Sequence, residues 1–171
     1  MVQRYLNFAD YNRWANARLY AAAARLSPDE FRADRGAFFG SVCGTLNHLL
    51  ATDRIWLRRI TGTGEAPNRL DAQLFDTFKD LAGARAVEDT RITDLAASLT
   101  PELLLAPITY ANMTGVQFTQ PFWTVLDHLF NHQTHHRGQV HTLLTILGGP
   151  EAGPSLDLIA RQREIDIARP L

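Results

Sequence analysis

PFWTVLDHLFNHQTHHRGQVHTLLTILGGP, residues Pro121 to Pro150, decides how this chain folds. Proline suits the first turn of a helix, where its missing N–H would have no partner. Gly148-Gly149-Pro150 stops one. Set His128 at zero and count about 100° per residue. Leu129, Val140 and Leu147 then fall at about 100°, Val125 and Leu143 at about 60°, and Leu126 and Leu144 at about 160°. A long helix with one such apolar face needs other helices to cover it.

Five of the chain's six histidines lie on this helix. His136 falls at about 80° and His132 at about 40°, in or beside the apolar arc. His128 and His135 sit at its edge, and His141, at about 220°, is expected to face solvent. His132 and His136 are one turn apart and aimed inward. Two imidazoles at that spacing can reach one metal ion. A buried imidazole needs partners for both ring nitrogens, and a shared cation supplies one to each. Hydrogen-bonded core histidines are the bland alternative.

Outward from this helix, the periodicity predicts helices over residues 3–26, 41–61 and about 71–99. Ser27 with Glu30 reads as a capping box, and Gly62 as a helix stop. Residues 107–119 are β-branched and aromatic around Asn112–Gly115, which predicts a small β-hairpin or extended excursion. A last short helix is expected from Ser155. With one long crossing connection, this is an all-α four-helix bundle. TGTGEAPN, residues 61–68, follows no strand and carries no Gly-Lys-Ser, so it is a poor phosphate loop.

Composition narrows the function. The 171 residues fit one domain, 1–171, and carry a net charge of −1. That charge gives no case for nucleic acid or an anionic membrane. No apolar run approaches the roughly 20 residues of a membrane span, and the N-terminus has no signal-peptide core. Cys43 is the single cysteine, so no intrachain disulfide forms. A cytoplasmic protein acting on a small molecule is the expectation.

The second long helix, in GTLNHLLATDRIWLRR, offers His48. On its wheel Leu49, Trp56 and Ile60 lie at about 80° to 120° from His48, and Leu46 and Leu57 at about 160° to 180°. His48 is therefore off-centre, beside Thr45 and Thr52, and reads alone as a flanking residue. Cys43, at about 220°, is not expected to ligate. Asp53 falls at about 140°, inside the apolar arc, and Arg137 at about 180° on the fourth helix. Lone buried charges are costly, so the two are expected to interact, directly or through one neighbour. Zinc proteases carry H-E-x-x-H on a helix; here Gln133 follows His132, and an amide cannot act as base.

GTLNHLLATDRIWLRR followed by FWTVLDHLFNHQTHHRGQVHTLL, with YNRWANARLY near the start and SLDLIARQREI near the end, closely resembles the DinB family, the DinB/YfiT-like metalloenzymes. The resemblance covers essentially the whole chain. It implies up-down-down-up connectivity and a divalent ion held by one histidine of the second helix and an H-x-x-x-H pair of the fourth. Those positions are His48, His132 and His136. It also implies zinc or nickel, a homodimer and, from the wider superfamily, chemistry on low-molecular-weight thiols.

The expected cofactor is thus one divalent ion (zinc, nickel or iron), with a low-molecular-weight thiol as cosubstrate. The expected activity is S-transferase-like. A metal-dependent hydrolase, or a non-catalytic metal-binding stress protein, are the alternatives. Structural zinc sites usually have four protein ligands. Three leave an open position, which favours an enzyme. The sequence designates no catalytic or cofactor-binding residue beyond the ligands.

Overall fold

The computed structural model describes residues 1–169. In chain order it contains α1 (Val2–Ala23), α2 (Pro28–Arg32), α3 (Val42–Thr61), α4 (Phe78–Ala97), α5 (Pro101–Leu105), β1 (Pro107–Ala111), β2 (Gln117–Pro121), α6 (Phe122–Gly148), a 3-10 turn (Pro150–Ala152) and α7 (Leu158–Glu164). The four long helices, α1, α3, α4 and α6, form the bundle. α1 packs on α4 and α6, and α3 packs on the same two. The expected hairpin is present, with β1 antiparallel to β2. Its turn is held by the Asn112 side chain, which accepts from the backbone N–H of Thr114 and of Val116.

The apolar interior divides into two clusters. One gathers Leu19, Leu46, Leu50, Leu81, Val140 and Leu144. The other gathers Tyr5, Leu57, Ile92, Leu104, Val125 and Leu126. On every long helix, buried polar residues separate them: Asn12 and Asn16 on α1, Asp53 on α3, Arg85 and Asp89 on α4, Gln133 and Arg137 on α6. Read from N- to C-terminus, α1 and α6 pass from the second cluster to the first. α3 and α4 pass from the first to the second. The bundle is therefore up-down-down-up.

That connectivity corrects one expectation. α3 and α4 run the same way, so the chain between them must return the length of a helix, about 30 Å. An extended residue covers about 3.3 Å. Residues 62–70 alone would manage the distance only if fully stretched, so a helix starting at Asp71 leaves too little chain. The helix instead begins at Phe78, where Thr77 caps it by accepting from the N–H of Asp80. Residues 71–77 stay out of the helix because α3 occupies the backbone at Leu74 and Phe75: the Asn47 side-chain oxygen accepts from the N–H of each at 2.9 Å. Gly62 ends α3 in the left-handed conformation, φ 72°.

Smaller boundaries shift as well. α1 stops at Ala23, and the last helix begins at Leu158 after Asp157 rather than at Ser155. The capping box at Ser27 and Glu30 is formed as expected.

Candidate metal centre

His48, His132 and His136 converge between α3 and α6. His48 Nε2 lies 3.1 Å from His132 Nε2 and 3.2 Å from His136 Nε2. A cation about 2.05 Å from each nitrogen would see His48 and a partner at about 100°, between the tetrahedral and octahedral angles.

Second partners fix how these rings are protonated. His48 Nδ1 is 2.7 Å from the Leu70 carbonyl oxygen, which can only accept. The ring proton therefore sits on Nδ1 and Nε2 presents a lone pair. His136 Nδ1 is 2.8 Å from Gln139 Oε1, which in this orientation of the amide accepts the Nδ1 proton. Two Nε2 lone pairs then face each other across 3.2 Å, where no hydrogen bond joins them. A divalent cation removes that repulsion, and the orientation by carbonyl and amide is the usual support of a ligating histidine. The residues fit a metal ion.

Burial keeps the rings neutral. His132 is pushed down to about 3, first by burial and then by the imidazoles of His136, His48, His128 and His135. His48 and His136 are also lowered, chiefly by burial. Phe39 closes one side of the centre. Its ring stacks on His48 at 3.9 Å and meets His136 edge-on at 5.5 Å.

His48 itself is 5% exposed, not flanking. Thr45 and Thr52, which made that side of α3 look like a solvent edge, are buried too. The segment returning from α3 to α4 covers the face and brings Leu70 with it. Cys43 stays outside the centre: it is buried, its sulfur lies 3.1 Å from Gln73 Nε2, and burial raises its thiol pKa. His135 is exposed and His128 lines the rim, 5.7 Å ring to ring from His132. His141 is a correction. It is half-covered rather than free in solvent, because Gly153 folds back so closely over its ring that a side chain there would collide with it.

Gln133 is fully buried, and its amide donates to Asp53 Oδ2 rather than reaching the histidines. A glutamate here would not serve the centre as base. Asp53 also pairs with Arg85 at 2.5 Å, a partner on α4 that no single-helix wheel could name. Leu70 and Phe39 carried no sequence signal either. Gln139, three residues after His136, could have been found from helical spacing.

Other clefts lie between α1 and α6, away from the histidines. One of about 180 Å³ is lined by Phe8, Tyr11, Asp127, Phe130, Thr134 and Arg137 among others. Among the described residues, His48, His132 and His136 are the group of donors close enough together to share a metal ion.

The profile of the DinB family matches residues 1–163. The chain is similar to Protein DinB of Bacillus subtilis (strain 168), at 24% identity over 149 residues, covering 81% of this chain and 83% of that one. In structure it is similar to a DinB-like protein from Bacillus cereus ATCC 10987, with TM-score 0.62 and 20% identity, covering 82% of this chain and 91% of the other. No helix of the described residues is long and apolar enough to cross a membrane.

Proposed function

The chain belongs to the DinB family, and from that premise we propose that His48, His132 and His136 hold one divalent cation, zinc, nickel or iron, in an enzyme that uses a low-molecular-weight thiol. One observation carries the reading: the facing Nε2 atoms of His48 and His136, 3.2 Å apart, with both Nδ1 positions already committed. An ion at such a site lowers the pKa of a thiol, or of water, that reaches it.

The chain's own groups have defined tasks. The three histidines supply neutral donors, so the cation keeps its full charge. Leu70 and Gln139 hold two of the rings in place. Phe39 excludes water from one side. Cys43 is not the nucleophile, because it is buried and its thiol is raised. The sulfur comes from the cosubstrate, which loses its proton to solvent, forms a bond to an electrophilic carbon and displaces a leaving group. Among the described residues, no carboxylate joins the histidine cluster. That favours sulfur over water as nucleophile, since water attack profits from a general base. A cytoplasmic homodimer acting on a small molecule is the setting this reading assumes.

The test uses protein purified without a histidine tag. Metal analysis is expected to find one ion per chain, lost in His48→Ala, His132→Ala and His136→Ala and kept in His141→Ala. Loaded protein is then given a panel of biological thiols and a chromogenic electrophile. Metal-dependent ester or amide cleavage without thiol, and no thiol-dependent turnover, would replace the transferase by the hydrolase. Stoichiometric metal with neither activity would leave the stress-protein reading.

A further inference from the structure

Arg59 sits on the face of α3 that carries His48. Eleven residues separate them, about three turns, which returns Arg59 to within about 20° of His48 on the helix. Its guanidinium lies 4.7 Å from the Trp56 ring and 5.2 Å from the Tyr110 ring. The two rings meet edge to face at 4.9 Å. Trp56 in turn lies 5.3 Å from His128, and His128 5.7 Å from His132. A continuous wall of rings thus leads from the metal centre to this arginine.

What Arg59 lacks is an acid. Arg54 reaches Glu88 at 3.5 Å, and Arg58 donates to the Gly64 carbonyl at 2.6 Å. Arg85 and Arg91 pair with Asp53 and Glu88. Among the described residues, the Arg59 guanidinium has five N–H donors and meets one acceptor, the Met113 thioether, at 3.7 Å. The side chain is half-buried, and burial pushes its pKa below the ordinary value. A guanidinium seated against two aromatic rings is restrained in position, and its fork of donors suits a planar anion.

We infer that Arg59, seated on Trp56 and Tyr110, binds a carboxylate carried by one of the reacting molecules, whose other end reaches the three histidines. This rests on the proposed function for what happens at the far end, but not for the binding of the carboxylate. The axial rise from His48 to Arg59 is about 16 Å, and both side chains lean toward the helix N-terminus. The molecule is therefore elongated, of dipeptide or tripeptide length, and its anionic end is set apart from its reactive end. The carboxylate belongs either to the thiol or to the electrophile.

Two matched pairs of probes test this by calorimetry on zinc-loaded protein: mercaptooctanoate with its methyl ester, and sulfur-free phenylbutyrate with its methyl ester. The wild type is expected to bind each acid about tenfold more tightly than its ester, the scale of a charge-assisted hydrogen bond. Arg59→Met should erase the ratio and Arg59→Lys should keep part of it, with zinc stoichiometry unchanged in both. An acid-to-ester ratio near one in the wild type, or one that survives in Arg59→Met, overturns the inference. The thiol reading fails separately, if mercaptooctanoate binds no better than octanoate while phenylbutyrate still discriminates. Turnover with a charged thiol and neutral electrophile, against the reverse pairing, then tells which reactant carries the carboxylate. Its KM is the one that rises in Arg59→Met.

Discussion

Asp53 on α3 and Arg137 on α6 do not touch; the side chain of Gln133 joins them. Its amide N–H donates to Asp53 Oδ2, and its carbonyl oxygen accepts from Arg137 Nη1 at 3.4 Å. The ring continues from Asp53 to Arg85, from Arg85 Nη2 to Asp89 at 3.0 Å, and from Asp89 through Asn16 and Asn12 back to Arg137. The Arg85–Asp89 contact is an ion pair poorly aligned for a hydrogen bond, since Arg85 Nη2 has no hydrogen-bond partner. Two carboxylates and two guanidiniums balance between the apolar clusters, with every long helix contributing. An unbalanced charge there would cost several kcal/mol.

Gln133→Glu would set a second carboxylate against Asp53. It should lower the free energy of unfolding by about 3 kcal/mol, the scale of a broken buried ion pair. Urea denaturation measures the loss, and metal stoichiometry should not change. A gain of hydrolase activity in this variant would mean that position 133 does reach the centre.

Metal-free protein should lose stability as pH falls from about 6.5. Between that value and about 3, an unfolded chain protonates the residue at 132 while the folded chain leaves it neutral. The unfolded state binds more protons across this window, so stability rises with pH there. The contribution is complete above about 6.5 and lost as pH falls toward the folded value. His48 and His136, also lowered, act in the same direction. Melting temperature against pH, wild type minus His132→Gln, isolates the effect; the variant's slope should be the shallower.

Gly44 supports the centre from a distance. A Cβ there would collide with the Phe39 backbone carbonyl, which has no flexible side chain to yield. Gly44→Ala should displace Phe39 from the His48 ring and weaken metal affinity by about tenfold or more, as losing an outer support does. Gly83, in α4 with open space around it, is the control. Gly83→Ala should stabilise the protein by up to about 1 kcal/mol through helix propensity, without changing metal affinity in a chelator competition.

Legible in the sequence were the apolar face of α6, the inward aim of His132 and His136, the hairpin, and the need of Asp53 and Arg137 for partners, though not which partners. All of these follow from local chemistry or from the geometry of a single helix, because periodicity and turn preferences act over a few residues. Tertiary structure decided the rest. His48 looked peripheral because a wheel records one helix and not what crosses it. The parallel course of α3 and α4 sends residues 62–77 back along the bundle, buries His48, brings the Leu70 carbonyl to its Nδ1 and delays α4 to Phe78. Gln133 shows the same limit: position in a motif says which residue follows a histidine, but only the packed bundle says that its amide faces Asp53. Contacts between residues far apart in the chain carry no local signature, and the orientation of His48 depends on one of them.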